Sequence, residues 1–202
     1  MMLEPPPPGG TRLILVRHAE PDEAVRGRCY GSLDVELSPR GRAQAASVAR
    51  SLEDVEIAAI FSSPRTRALE TAAALQREVV IVEDLREINF GALEGLTYAD
   101  AEARYPDVYR VWMERPTAVR FPDGESYPQL RDRVRAAAAV IRRAHTSALI
   151  IAHGGTVRAL VAEALNMNDR DIFRIAVDHA SITVIDAFAD GTPIVRLVNA
   201  RA

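Results

Sequence analysis

Two histidines in this chain directly follow short apolar runs. LILV (13–16) ends in Arg17-His18, and ALIIA (148–152) ends in His153-Gly154-Gly155. Two further runs end in polar chemistry. IAAIF (57–61) leads into Ser62-Ser63-Pro64 with Arg67 shortly after, and VVIV (79–82) leads into Asp84-Leu85-Arg86-Glu87. Singly, each has a plain structural reading: a hydrogen-bonded histidine, a solvated arginine, a glycine turn, a surface carboxylate. Together they amount to two imidazoles, two guanidiniums and one carboxylate at successive run ends. Guanidinium forks bind tetrahedral oxyanions bidentately, and a helix N-terminus adds backbone N–H groups for an anion. The set therefore points to a phosphoryl group. A neutral histidine can attack phosphorus, and the neighbouring Arg17 and Arg67 disfavour its protonated form. Fixed donors stabilise the charge that develops on the equatorial oxygens. A carboxylic acid such as Glu87 can protonate the leaving alkoxide.

The elements that must hold these groups alternate between strand and helix. LILV, IAAIF, VVIV and ALIIA read as buried strands. Ser38-Pro39 offers an N-cap and a proline in the first turn of one helix, and Ser63-Pro64 is expected to open another, running to about Gln76. Residues 98–116 are polar, aromatic and helical, broken at Pro106. Arg131 to Ala144 is an alanine-rich helix, and GTVRALVAEAL (155–165) is another. SITVIDAF (181–188), DGTP and IVRLV (194–198) read as a closing hairpin. This pattern predicts a three-layer α/β/α sandwich with a mostly parallel sheet covered on both faces. In such sheets ligands bind beyond the carboxyl ends of the strands, the rim on which the four run ends fall. Residues 12–202 are expected to form one domain, with a helical, lid-like insertion at about 88–145. The Pro/Gly-rich residues 1–11 read as a flexible tail.

Composition narrows the chemistry. The chain has 202 residues, a net charge of −3 and 48% hydrophobic residues, an ordinary globular balance that points to neither a nucleic-acid nor a membrane partner. All 25 basic residues are arginine, which excludes a lysine Schiff base and a P-loop lysine. Four histidines, no HExxH or HxH and a lone Cys29 give no metal-ligand cluster, so no metal or cofactor is expected. The absence of G-x-S-x-G argues against a serine hydrolase of that type. A single cysteine allows no internal disulfide and fits a reducing cytoplasm. The N-terminus lacks the basic start and apolar segment of a secretory signal, and the sequence leaves an oligomer open.

At the level of motifs the chain resembles the histidine phosphatase superfamily, which includes cofactor-dependent phosphoglycerate mutase. The family's Arg-His-Gly-Glu stands as Arg17-His18-Ala19-Glu20, with alanine for glycine. SSPRTRALETA (62–72), LREINFGALEG (85–95) and AHGGTVRAL (152–160) match its further motifs in order and spacing. The resemblance implies a phosphoglycerate mutase-like fold. It implies His18 as nucleophile, Arg17, Arg67 and Gly154 in phosphate binding, His153 as the second histidine of the pocket and Glu87 as proton donor. Glu94 is left structural. Its mechanism would be metal-independent hydrolysis of a phosphate ester through a phosphohistidine.

GRCYGSLDVELSPRGRAQA (27–45) and FPDGESYPQLRDRV (121–134) resemble the alpha-ribazole phosphatase branch, and also small broad-specificity phosphatases. That alignment puts Arg28, Cys29 and Tyr30 near the substrate, with Arg28 and Tyr30 as its binding residues, and Glu125-Ser126 near the pocket mouth. GRCYG can equally be a surface loop. Ala24 stands where the mutases have asparagine, which favours hydrolysis over transfer between hydroxyls. A small phosphorylated substrate, alpha-ribazole 5′-phosphate, is the expected ligand. A sugar-phosphate or phosphoglycerate phosphatase or mutase is the alternative, and a phosphate-sensing module without activity is the rival from another class.

Overall fold

The computed structural model describes residues 4–202. A six-stranded sheet runs in the order β3-β2-β4-β1-β5-β6. Its strands are β1 (Thr11–Arg17), β2 (Ala59–Ser62), β3 (Val80–Ile81), β4 (Ser147–Ala152), β5 (Ser181–Ala187) and β6 (Pro193–Arg201). β1, β4, β2 and β3 are mutually parallel, whereas β5 is antiparallel to β1 and pairs with β6 as a hairpin. The sheet is thus mixed, with a parallel half and an antiparallel edge.

Alternation along β1 explains the layers. Leu13 and Leu15 face a core with α5 (Tyr127–Ala144) and α6 (Gly154–Ala164). Ile14 and Val16 face the opposite core with α1 (Pro39–Ser51) and α2 (Thr66–Ala73). Both faces are covered, so β4 and β5 are buried along their whole lengths. Ser38 caps α1 as its sequence suggests, its Oγ accepting from the Gly41 N–H at 2.9 Å. Two boundaries differ from expectation. α2 starts at Thr66 because Ser63 and Pro64 stay in a turn, in which the Ser63 hydroxyl accepts from the Arg65 N–H. α5 starts at Tyr127, where Gln129 Oε1 accepts from the Ser126 N–H and orders a first turn ahead of the alanine-rich stretch.

The segment expected as a lid divides in two. α5 packs on the sheet as part of a layer. The residues before it, including α3 (Tyr98–Arg104) and α4 (Pro106–Glu114), form a cap around a separate small core of Cys29, Leu93, Ala101, Val119 and Phe121. Of the expected tail, residues 1–3 lie outside the described residues. Pro7 and Gly10 are buried, and Thr11 already belongs to β1. Among the described residues no helix is long and apolar enough to cross a membrane.

The antiparallel side of the sheet carries a charged group with no exposure. Asp186 on β5 receives the Arg12 fork, Nε to Oδ1 at 2.7 Å and Nη2 to Oδ2 at 2.8 Å, and Arg196 Nε at 3.1 Å. Arg12 also donates to the Glu4 carbonyl, which fastens the N-terminal segment to the sheet. Removing one side of a buried pair strands the other charge, at about 3–5 kcal/mol. Asp186→Ala is therefore expected to lower the unfolding free energy by that order, read as a lower urea midpoint at unchanged slope, while leaving the turnover of the remaining folded protein intact. An unchanged midpoint would show that the pair is dispensable.

Candidate active site

The β1–β4 register decides where the two histidines go. Arg17 pairs with Ala152, and the His18 N–H donates to the Ala152 carbonyl at 2.8 Å. His18 and His153 follow immediately, side by side, with ring centroids 5.1 Å apart. His18 Nδ1 lies 2.8 Å from the Ala19 carbonyl, which can only accept, so Nδ1 carries the proton. Arg67 Nε–H points at His18 Nε2 at 3.3 Å, which agrees: a guanidinium can only donate. Nε2 is therefore the unprotonated nitrogen, and its lone pair accepts from Arg67. Ala19 serves this arrangement through its backbone. Its N–H donates to Thr71 Oγ1, and its methyl is buried in the α1/α2 core, which accounts for alanine in a place where the motif has glycine.

The guanidiniums are largely pre-set by backbone carbonyls. Arg67 has no exposure; it donates to the carbonyls of Leu33 at 2.8 Å and Gly31 at 2.9 Å. Gly31 has no room for a side chain, because a Cβ there would stand 1.7 Å from the Ile88 carbonyl. Arg17 donates from Nη1 to the Val177 carbonyl at 2.6 Å and from Nη2 to His179 Nε2 at 2.8 Å. Its Nε is buried and has no partner, a donor awaiting an acceptor. Burial pushes His18 and His153 well below the ordinary histidine range. For His18 the charges of His153, Arg67 and Arg17 add to it, and for His153 those of Arg67 and Arg17 do. Both imidazoles are neutral at pH 7.

Glu87 faces these groups from the loop after β3. Its carboxylate accepts from the Gly155 N–H at 3.0 Å in the first turn of α6 and from its neighbour Ile88 N–H at 2.9 Å. A Cβ on Gly155 would fall 2.3 Å from Glu87 Oε1, so glycine is needed for the carboxylate to sit there. Arg133 clamps the loop from below, donating to the carbonyls of Asp84, Arg86 and Glu87 and forking onto Glu125. A cavity of about 280 Å³ opens over the group, with Arg17, His18, Arg67 and Glu87 on its wall. Among the described residues no group of three or more His, Cys, Asp or Glu could hold a metal ion.

The family model of the histidine phosphatase superfamily, branch 1, matches residues 13–200. The chain belongs to that superfamily. A bifunctional protein of Mycobacterium tuberculosis is 35% identical over 196 residues, covering 94% of this chain and 54% of that protein. The chain thus spans about half the length of that curated relative. Phosphoserine phosphatase 1 of Hydrogenobacter thermophilus is 34% identical over 180 residues, 86% of this chain and 85% of that one. The crystal structure of the alpha-ribazole phosphatase from Shigella flexneri superposes with a TM-score of 0.87 at 27% identity, covering 95% and 98% of the two chains.

In this member of the superfamily the residues read from sequence mostly converge. Arg28 and Tyr30 reach the same cavity wall as His18 and Glu87, with Arg67 over the Tyr30 ring at 5.3 Å. His153 and Gly154 stand behind that wall. A Cβ on Gly154 would lie 3.0 Å from Arg158 and 3.6 Å from Arg17 Nε. Glu94 is structural: its carboxylate accepts from the backbone N–H groups of Ser32, Leu33 and Phe90. Glu125 and Ser126 are not on the cavity wall, because Glu125 is turned to Arg133 and Ser126 opens α5.

Sequence reasoning missed Ser63, whose hydroxyl holds His153 Nε2 at 2.7 Å. It also missed His179, 5.3 Å from His18 between ring centroids. β5 is antiparallel, so its entrance, not its exit, lies on the catalytic rim. The Ala180 N–H donates to the carbonyls of Arg17 and His18 from a left-handed backbone, φ 58°, a strained conformation for alanine. The polar pair Asp178-His179 just before a strand of reversed direction was the available signal.

Burial, then Arg17, pulls His179 down to about 4. A histidine whose folded value lies below its unfolded value near 6.5 favours folding above 6.5. That stability is lost as the pH falls toward 4, because the unfolded chain takes up the proton first. The urea midpoint is expected to drop between pH 7 and pH 5, and to drop less in His179→Asn. Parallel pH profiles for the two proteins would assign the loss to other groups.

Proposed function

We propose that this chain is a metal-independent phosphomonoesterase that works through a phosphohistidine at His18. The observation that carries the reading is the His18 tautomer: a neutral, buried imidazole whose Nε2 lone pair faces the Arg67 guanidinium, on one cavity wall with a carboxylate. Arg17, Arg67, His153 and the Gly154 end of α6 hold the phosphoryl oxygens. The Nε2–P bond forms as the P–O bond to the alcohol breaks, and Glu87, in its acid form, gives its proton to the departing oxygen. Water then attacks phosphorus, Glu87 takes its proton back, and the Nε2–P bond breaks to release inorganic phosphate. Arg17 Nε, unpartnered without ligand, gains an acceptor when the phosphoryl group binds.

Alpha-ribazole 5′-phosphate is the substrate we favour. The likeness to the Shigella alpha-ribazole phosphatase and the position of Arg28 and Tyr30 on the cavity wall support it. The substrate is a small phosphorylated molecule, with no nucleic-acid or membrane partner, and a single cysteine, which allows no internal disulfide, fits a reducing cytoplasm.

Rapid quench with labelled substrate in excess chelator is expected to trap an acid-labile, base-stable phosphoenzyme. His18→Ala should abolish both the adduct and turnover. Full activity in that variant, or a rate that collapses on chelation and returns with Mg²⁺ or Zn²⁺, would overturn the mechanism. The role of Glu87 is read from the leaving group. Glu87→Gln should slow phosphorylation by alkyl phosphates by about 10²–10⁴-fold, the usual range for general acid catalysis, and slow p-nitrophenyl phosphate far less, since nitrophenolate departs without a proton. Equal losses on both would remove Glu87 as the acid.

A further inference from the structure

The part of the cavity that would receive the alcohol is unlike its phosphoryl end. Beyond His18 and Glu87 the wall is formed largely by aromatic side chains: Phe90, Tyr98, Trp112, Phe121, Tyr127 and Phe173. Trp112 sets the geometry. Its ring centroid lies 5.4 Å from Phe90, 5.6 Å from Tyr98 and 5.3 Å from Phe121, a mutually braced set of faces and edges.

The cations flank this wall. Arg158 lies toward the phosphoryl end, by Gly154 and Arg17; it donates to the Ile175 carbonyl and rests against the Phe173 ring at 5.4 Å. Arg28 is exposed and donates to the carbonyls of Ala24 and Gly95. Among the described residues, no carboxylate other than Glu87 lines the cavity.

We infer that the alcohol part of the substrate carries a flat aromatic ring system without charge of its own, seated on this wall. A volume of about 280 Å³, near the low end for small-ligand sites, leaves space for one such ring system beside the phosphoryl group. An amino-acid zwitterion would have to desolvate its ammonium on a wall whose charged groups other than Glu87 are guanidiniums. The inference rests on the phosphomonoesterase reading of this site, and it separates the chain's preference from that of the phosphoserine phosphatase to which it is similar.

The test compares primary alkyl phosphates with similar leaving groups: 2-(indol-3-yl)ethyl phosphate, 2-phenylethyl phosphate, glycerol 1-phosphate and O-phosphoserine. Non-hydrolysable phosphonates of the same side groups are measured by thermal shift. The two aromatic esters should exceed the others in kcat/KM by about tenfold or more, a discrimination within reach of one apolar pocket, and the aromatic phosphonates should bind more tightly by a similar factor. Phe173→Ala, at an exposed position, should shrink that ratio. Turnover of all four esters without aromatic preference overturns the inference and leaves the phosphatase reading standing. Aromatic preference in phosphonate binding without turnover of any ester upholds the inference and overturns the phosphatase reading.

Discussion

The parallel pairing of β1 with β4 is the constraint on which the rest of the site depends. Both strands are apolar on both faces, so each must be central in the sheet, and the core fixes their register. A shift of one residue would turn Leu13 and Leu15 toward the α1/α2 core and misplace every side chain at the rim. Once Arg17 pairs with Ala152, the next residues of both strands, His18 and His153, stand together where the sheet ends. Chemistry is thus positioned by hydrophobic packing some distance away. Loops alone would not hold two imidazoles within reach of one phosphorus atom.

Concentrating like charge in a dry place is the second condition. Arg17, Arg67 and Arg158 are all part-buried or buried near the same point, and three histidines with depressed proton affinity surround them. The protein tolerates this by giving the guanidiniums backbone carbonyls as partners. Carbonyls carry partial charge only, so they hold the side chains in place without neutralising them. A carboxylate in the same positions would quench the field that attracts a phosphoryl dianion. The neutral histidines follow from the same field, because a protonated imidazole would be repelled by each neighbouring arginine.

Much of this was legible in the sequence because apolar runs with chemistry at their ends carry both position and type. Arg17, His18, Arg67, Glu87 and His153 each follow a strand of the parallel half, and parallel strands end on one rim. His179 escaped for the complementary reason. It precedes its strand, and only the reversed direction of β5 brings it to the rim, a fact of topology that no local pattern encodes. Ser63 escaped because a serine before proline has a cheaper reading as a helix start. The same serine instead fixes the ring of His153, a pairing across ninety positions of chain. Glu125 was drawn toward the pocket by its place in a motif. In the fold it is spent on Arg133, and it acts on the site only through the loop that carries Glu87.

The two halves of the cavity have different origins, and this separates reaction from selectivity. The phosphoryl end is built from strand ends and helix starts, whose positions are tied to the main cores. Much of the alcohol end is built from the cap, which has its own small core around Leu93 and Phe121 and meets the sheet through loops. Substitutions among Phe90, Tyr98 and Trp112 would reshape that wall without disturbing the β1–β4 register. The reverse does not hold: a change in register would destroy both ends at once. A fold arranged this way can alter which alcohol it accepts while its phosphoryl chemistry stays fixed. The aromatic wall of this chain is then a property of its cap sequence, and likeness across the sheet to relatives with other substrates does not predict it.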